Sequence, residues 1–163
     1  MKREVVSDAG PLISLEKMEG GYSFIRKLIS KIIVPPSVLE EVFSGSFSTA
    51  EDYLQAFNIQ DLIETQVPPV IPEAINSNPD LHQPEKEAIA LALSIQKPLL
   101  IEEDIGRGVG DSLGLIISGI AGLVLQAQAQ KIINKKEATL KLRELFEGGR
   151  LNRKLYESLL QNI

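Results

Sequence analysis

Four runs of three residues set the limits on what this chain can fold into: Val5-Val6-Ser7, Ile32-Ile33-Val34, Leu99-Leu100-Ile101 and Leu115-Ile116-Ile117. Each is almost wholly apolar at consecutive positions, and consecutive side chains of a strand point to opposite faces of a sheet. A strand apolar on both faces is one covered on both faces, which is the condition of a parallel sheet between helices.

The intervals between the runs carry helical spacing. Pro11 opens a pattern with Leu12, Leu15 and Met18 on one face, stopped by Gly20-Gly21. A second helix is expected over 22–30, with Phe24, Ile25, Leu28 and Ile29 inward. Pro35-Pro36 ends the next strand, and Ser37 is expected to cap a helix bearing Val38, Leu39, Val42 and Phe43. Residues 45–80 read as an insertion with loops, containing an amphipathic stretch at 51–57 and a strand around 62–67. Pro84 starts a strong helix with Ala88, Ile89, Ala92 and Leu93 on one side. Further helices are expected at 120–131, 136–147 and 152–161. Strands alternating with helices imply an α/β class. The expectation is a three-layer α/β/α sandwich around a mainly parallel sheet of four to five strands. Residues 1–163 would form a single domain, with the helices of about 136–163 packed on it or extending it.

Composition removes several functions. No cysteine is present, so disulfides, thiolate metal sites and Cys nucleophiles are excluded, and a reducing, cytoplasmic setting is expected. The start of the chain lacks a signal-peptide pattern. The single histidine, His82, cannot build a multi-His zinc site. The glycines at 106, 108 and 110 lack both the dinucleotide spacing and the Lys-Ser/Thr of a P-loop, and read as turn or close-packing glycines. The apolar run 113–125 is broken by Gly114, Ser118, Gly119 and Gly122, short of the ~18 uninterrupted residues of a membrane span. A net charge of −5 argues against a basic surface that holds nucleic acid through phosphates alone. Bound cations would reverse the sign locally.

What remains is carboxylate chemistry. Asp8, Glu41, Glu85 and the run Glu102-Glu103-Asp104 come from four separate stretches, each at a strand end or helix start. Ligands of parallel sheets bind at those ends. Carboxylates gathered in one cleft require raised pKa values or bound cations, and hard oxygen donors suit Mg²⁺ or Mn²⁺. Such ions activate water for phosphodiester hydrolysis. Each acid also has an ordinary reading: Asp8 as a helix cap, Glu41 as a solvated face, Glu85 as a dipole partner, and 102–104 as caps of the next helix. Glu85 precedes Ala88 and Ile89 by three and four residues, which puts it on the face of the apolar stripe. Arg107 is the basic residue nearest the acids and a candidate phosphate contact. Lys141, Arg143, Arg150, Arg153 and Lys154 read as solvated surface.

The blocks Val5 to Ile13, Ile33 to Val42, Pro84 to Ala92 and Leu99 to Gly114, in that order, resemble the successive blocks of the PIN-domain family. The resemblance is to PIN-like proteins described as predicted nucleic-acid-binding, relatives of toxin ribonucleases. It implies metal-coordinating and catalytic roles for Asp8, Glu41, Glu85 and Glu103, with Glu102, Glu87 or Asp104 as neighbours able to substitute. It also implies a Mg²⁺- or Mn²⁺-dependent endoribonuclease acting on single-stranded RNA, an antitoxin partner, a homodimer and no membrane. Glu102 and Glu103 stand where the family commonly has aspartates, and Leu81-His82-Gln83-Pro84 stands where relatives often have Gly before the acid. These departures motivate an alternative: a PIN-like fold with an impaired site, serving as a nucleic-acid-binding or protein-interaction module.

Overall fold

The computed structural model describes residues 2–163. Among them lie strands β1 (Arg3–Ser7), β2 (Ile29–Val34), β3 (Ile63–Thr65), β4 (Leu99–Leu100) and β5 (Ile117–Ser118). The helices are α1 (Ala9–Glu16), α2 (Gly21–Ile25), α3 (Pro36–Phe43), α4 (Ala50–Ala56), α5 (Glu73–Asn76), α6 (Gln83–Ile95), α7 (Asp104–Ser112), α8 (Ile120–Ala129), α9 (Lys135–Glu147) and α10 (Arg153–Leu160). The strands form one sheet in the order β3-β2-β1-β4-β5, and every pairing among the described residues is parallel.

Val5, Val6 and Ser7, Ile32 to Val34, and Leu99 to Ile101 are all buried, so both faces of the central strands are covered. The architecture is a three-layer α/β/α sandwich. From β1 the chain moves outward through β2 to the β3 edge, then returns to pair β4 with β1 on its other side. The two directions part between β1 and β4, the switch point at which such sheets leave a crevice. Val6 aligns with Leu99 and Ser7 with Leu100, and the Asp8 N–H donates to the Leu100 carbonyl at 2.9 Å. This register fixes Asp8 beside Ile101 and the acidic run after it.

Several local expectations are corrected. The second helix is the short α2, and Ile29 belongs to β2, paired with Arg3. The β-branched density of Ile29 to Val34 favours a sheet partner over helical periodicity. Pro35, not Ser37, takes the N-cap position of α3, with Pro36 preorganised in its first turn. The Ser37 hydroxyl instead lies 3.4 Å from Glu87 Oε2. The final strand is displaced toward 117–118, although Leu99 N–H already donates to the Ile116 carbonyl.

Residues 45–80 are integral to the fold. Tyr53, Ile59, Leu62 and Ile75 are buried in the main core. The rings of Tyr22, Phe47, Tyr53 and Phe57 pack with centroids 5.2–6.2 Å apart. The two tyrosine hydroxyls are joined by a 2.6 Å hydrogen bond, satisfying polar atoms that burial would otherwise strand. At the other end of the chain α9 buries Ala138, Leu142 and Leu145. Tyr156 of α10 stacks on Phe146 at 4.5 Å. Among the described residues no helix is long and apolar enough to cross a membrane.

Candidate functional site

Asp8 follows β1 directly and occupies the N-cap position of α1 in extended backbone. An aspartate there ordinarily accepts a hydrogen bond from the first turn. Here no such side-chain cap bond forms. The side chain is 6% exposed, and Oδ1 is buried without a hydrogen-bond partner among the described residues. Burial pushes the Asp8 pKa up to about 7. The Ala9 N–H offsets part of that effect, and the charges of Glu85, Glu41 and Glu103 add to it. Acids from three other segments therefore act on Asp8 through their fields.

Glu85 lies in the first turn of α6, 8% exposed. Its Oε1 forms a 2.9 Å hydrogen bond with His82 Nδ1, while Oε2 is buried and lacks a partner among the described residues. Burial raises its pKa; His82 works against the rise and Glu103 adds to it. The orientation toward the core expected from the apolar stripe of α6 is what the structure has. A helix-dipole partner on the surface would be solvated, and Glu85 is not.

Glu103 caps α7, accepting from Ile105 N–H at 3.0 Å and Gly106 N–H at 2.7 Å. The little burial it has works upward, but those two donors and its interaction with Glu85 hold it below the usual carboxylate range. Glu85 is shifted up and Glu103 down, and each acid contributes to the shift of the other.

The remaining candidates separate. Glu41 is exposed on α3, near enough for its charge to act on Asp8. Glu40 and Asp104 are exposed, and Glu87 faces Ser37. Glu102, expected among the metal ligands, has both oxygens engaged: Oε1 accepts from Ser14 Oγ at 2.6 Å and Arg150 Nη2 at 3.3 Å, and Oε2 from Ile120 N–H at 3.0 Å. Both acids face structural donors, but it is Glu103 whose charge acts on Asp8 and Glu85. Arg107 donates Nη1 to the Ile101 carbonyl at 2.9 Å. Its side chain also lines a cavity of about 400 Å³ together with Glu102, Asp104, Gly119 and Arg150.

Gly106 and Gly110 are close-packing glycines. A Cβ on the first would lie 2.5 Å from Ile101 Cδ1 and on the second 2.7 Å from Ile117 Cδ1. They let α7 lie against the strand ends that carry the acids. The side chain of His82 is 86% exposed. Its ring nevertheless reaches Glu85, and the signal was its place three residues before that acid, at the N-cap of α6. Ser14 and Arg150 left no such signal, because their partners are 88 and 48 residues away.

Among the described residues no group of three or more Asp, Glu or His side chains stands close enough to hold a metal ion as it is. Uncompensated carboxylates repel, which opposes closer approach. The two buried oxygens without donors, Asp8 Oδ1 and Glu85 Oε2, are nonetheless ligands of the kind a small hard cation takes. The donor set fits such an ion.

A family model described as a PIN domain matches residues 4–163. Comparison with curated proteins and with solved structures finds no match.

Proposed function

Because the chain belongs to the PIN-domain family, whose fold is that of a nuclease, we propose that it is a Mg²⁺- or Mn²⁺-dependent endoribonuclease hydrolysing phosphodiesters of single-stranded RNA. The observation that carries this reading is the pair of buried oxygens on Asp8, at the end of β1, and Glu85, in the first turn of α6, that have no partner among the described residues. A folded protein leaves few such atoms, and those it leaves call for an explanation. A divalent cation is the simplest one for two acceptors of like charge.

Asp8, Glu85 and Glu103 would hold the ion, with Glu41 contributing from the rim. When bound, the ion lowers the pKa of a water and neutralises charge on the phosphoryl oxygens, the chemistry that phosphodiester hydrolysis needs. The side chains set the conditions for it. Asp8 must give up its proton to bind a cation. His82 fixes Oε1 of Glu85 and leaves the buried Oε2 for the ion. Glu103 is held in its rotamer by the amides of Ile105 and Gly106. Arg107 would offer its remaining N–H groups to an RNA phosphate from the adjoining cavity. A toxin role, restrained by an antitoxin protein, and a homodimer extend this reading.

The decisive assay incubates labelled single-stranded RNA with identically purified wild type and Glu85→Ala, in Mn²⁺ or EDTA. Cleavage by wild type in Mn²⁺ alone supports the nuclease; equal cleavage by both proteins contradicts it. A second reading, an impaired site kept as a binding module, is favoured by one observation: both oxygens of Glu103 already serve as a helix cap. That reading predicts RNA retention without cleavage in Mn²⁺.

A further inference from the structure

One polar cluster is absorbed neither by the core nor by the proposed chemistry. Arg150, in the segment between α9 and α10, donates Nε to Ser14 Oγ at 3.0 Å and Nη2 to the Gly10 carbonyl at 3.1 Å and to Glu102 Oε1 at 3.3 Å. Ser14, fully buried in α1, donates its hydroxyl hydrogen bond to Glu102 Oε1 at 2.6 Å. The other oxygen of Glu102 receives the Ile120 N–H at the start of α8. Four segments meet on one carboxylate: α1, the end of β4, the α8 N-terminus and the chain beyond α9.

Two glycines keep the space open. A Cβ on Gly10 would lie 3.3 Å from Arg150 Nη2, and one on Gly119 would lie 3.4 Å from Glu102 Cγ. The clamp bears on the acids through short covalent paths. Gly10 is two residues after Asp8, and Glu102 immediately precedes Glu103. Arg107 secures the same strand end through the Ile101 carbonyl.

We propose that Arg150 is a positioning residue of the acid site: by clamping Glu102 onto Ser14 and Gly10 it fixes the β4–α7 junction, so that Glu103 faces Glu85 and Asp8. It makes no contact with the reacting atoms. The proposal rests on the metal-site reading for its functional meaning, but the clamp itself is measurable without metal. A lysine cannot reproduce it, because one ammonium lacks the planar fork that serves Ser14 and Gly10 together.

The test uses the full chain as wild type, Arg150→Lys, Arg150→Ala, Glu102→Gln and the Arg150→Lys/Glu102→Gln double variant. In metal-free protein, amide exchange at Ile105, Gly106 and Ile120 should accelerate about tenfold in Arg150→Lys, the effect of losing roughly one hydrogen bond, with core-strand amides unchanged. If Arg150→Ala fails to fold, Arg150→Lys still gives this reading. With Mn²⁺, outer contacts of this kind are worth about 10- to 100-fold in affinity. The double variant should lose no more affinity than the worse single, because both act through one contact. Unaltered exchange at the three amides overturns the clamp. Additive losses in the double variant overturn action through Glu102. Altered exchange with no Mn²⁺ binding by wild type leaves the clamp as architecture alone, overturning both its catalytic meaning and the metal reading. Altered exchange with wild-type Mn²⁺ affinity in Arg150→Lys overturns the positioning role while sparing the metal site.

Discussion

Asp8 and Glu85 each carry one interior oxygen with no partner among the described residues, and burial and neighbouring carboxylates raise the pKa of both. The Asp8 value of about 7 lies above its ordinary 3.8, so between those values the folded chain binds a proton that the unfolded chain has released. Stability of the metal-free protein therefore falls as pH rises through that window. Asp8→Asn should remove the fall: denaturant melts in EDTA at pH 5 and pH 8 should differ less than in wild type, with the variant more stable at pH 8 by at most about 4 kcal/mol. His82→Ala frees Glu85 Oε1 to rotate, and should weaken Mn²⁺ binding by about 10-fold or more in calorimetric titration with little change in melting. Asp8 and Glu85 were both legible in the sequence, because each stands at a strand end or helix start with its neighbours in phase. Glu102 and Glu103 were not separable there. Adjacent carboxylates differ in role only through the partners they meet, and Ser14, Ile120 and Arg150 are brought to Glu102 by the fold.

Elements were legible where the apolar runs were dense and ambiguous where helix and strand patterns overlapped. The stretch Leu28 to Val34 satisfies both, and pairing with β1 decides it as strand. Residues 45–80 hid their contribution because it comes from aromatic packing among scattered residues, which has no period. The glycines had clearer tasks. Gly20 adopts φ +65°, and a Cβ on Gly21 would collide with the Leu15 carbonyl oxygen at the tight α1–α2 turn. Gly21→Ala should destabilise the protein by about 1–3 kcal/mol in a denaturant melt, an overpacking cost against backbone that cannot rotate away. Gly45→Ala, with open space around its Cβ position, should change stability by less than about 0.5 kcal/mol.

Across the whole molecule, the sheet order reverses direction between β1 and β4, and the register of those two strands sets Asp8 beside the acidic run. The α/β class was legible from strand length and alternation. Strand order was not, since it depends on pairings that no local pattern encodes. The C-terminal segment looked like solvated basic surface, yet Arg150 reaches back to α1. Whether the acids of four distant segments bind a divalent cation is decided by calorimetric titration of the metal-free full chain with Mn²⁺ at pH 8, in wild type and Asp8→Ala. Wild type should bind saturably, and the variant should lose at least about tenfold in affinity. Equal binding by the two proteins, or none by wild type, would contradict it.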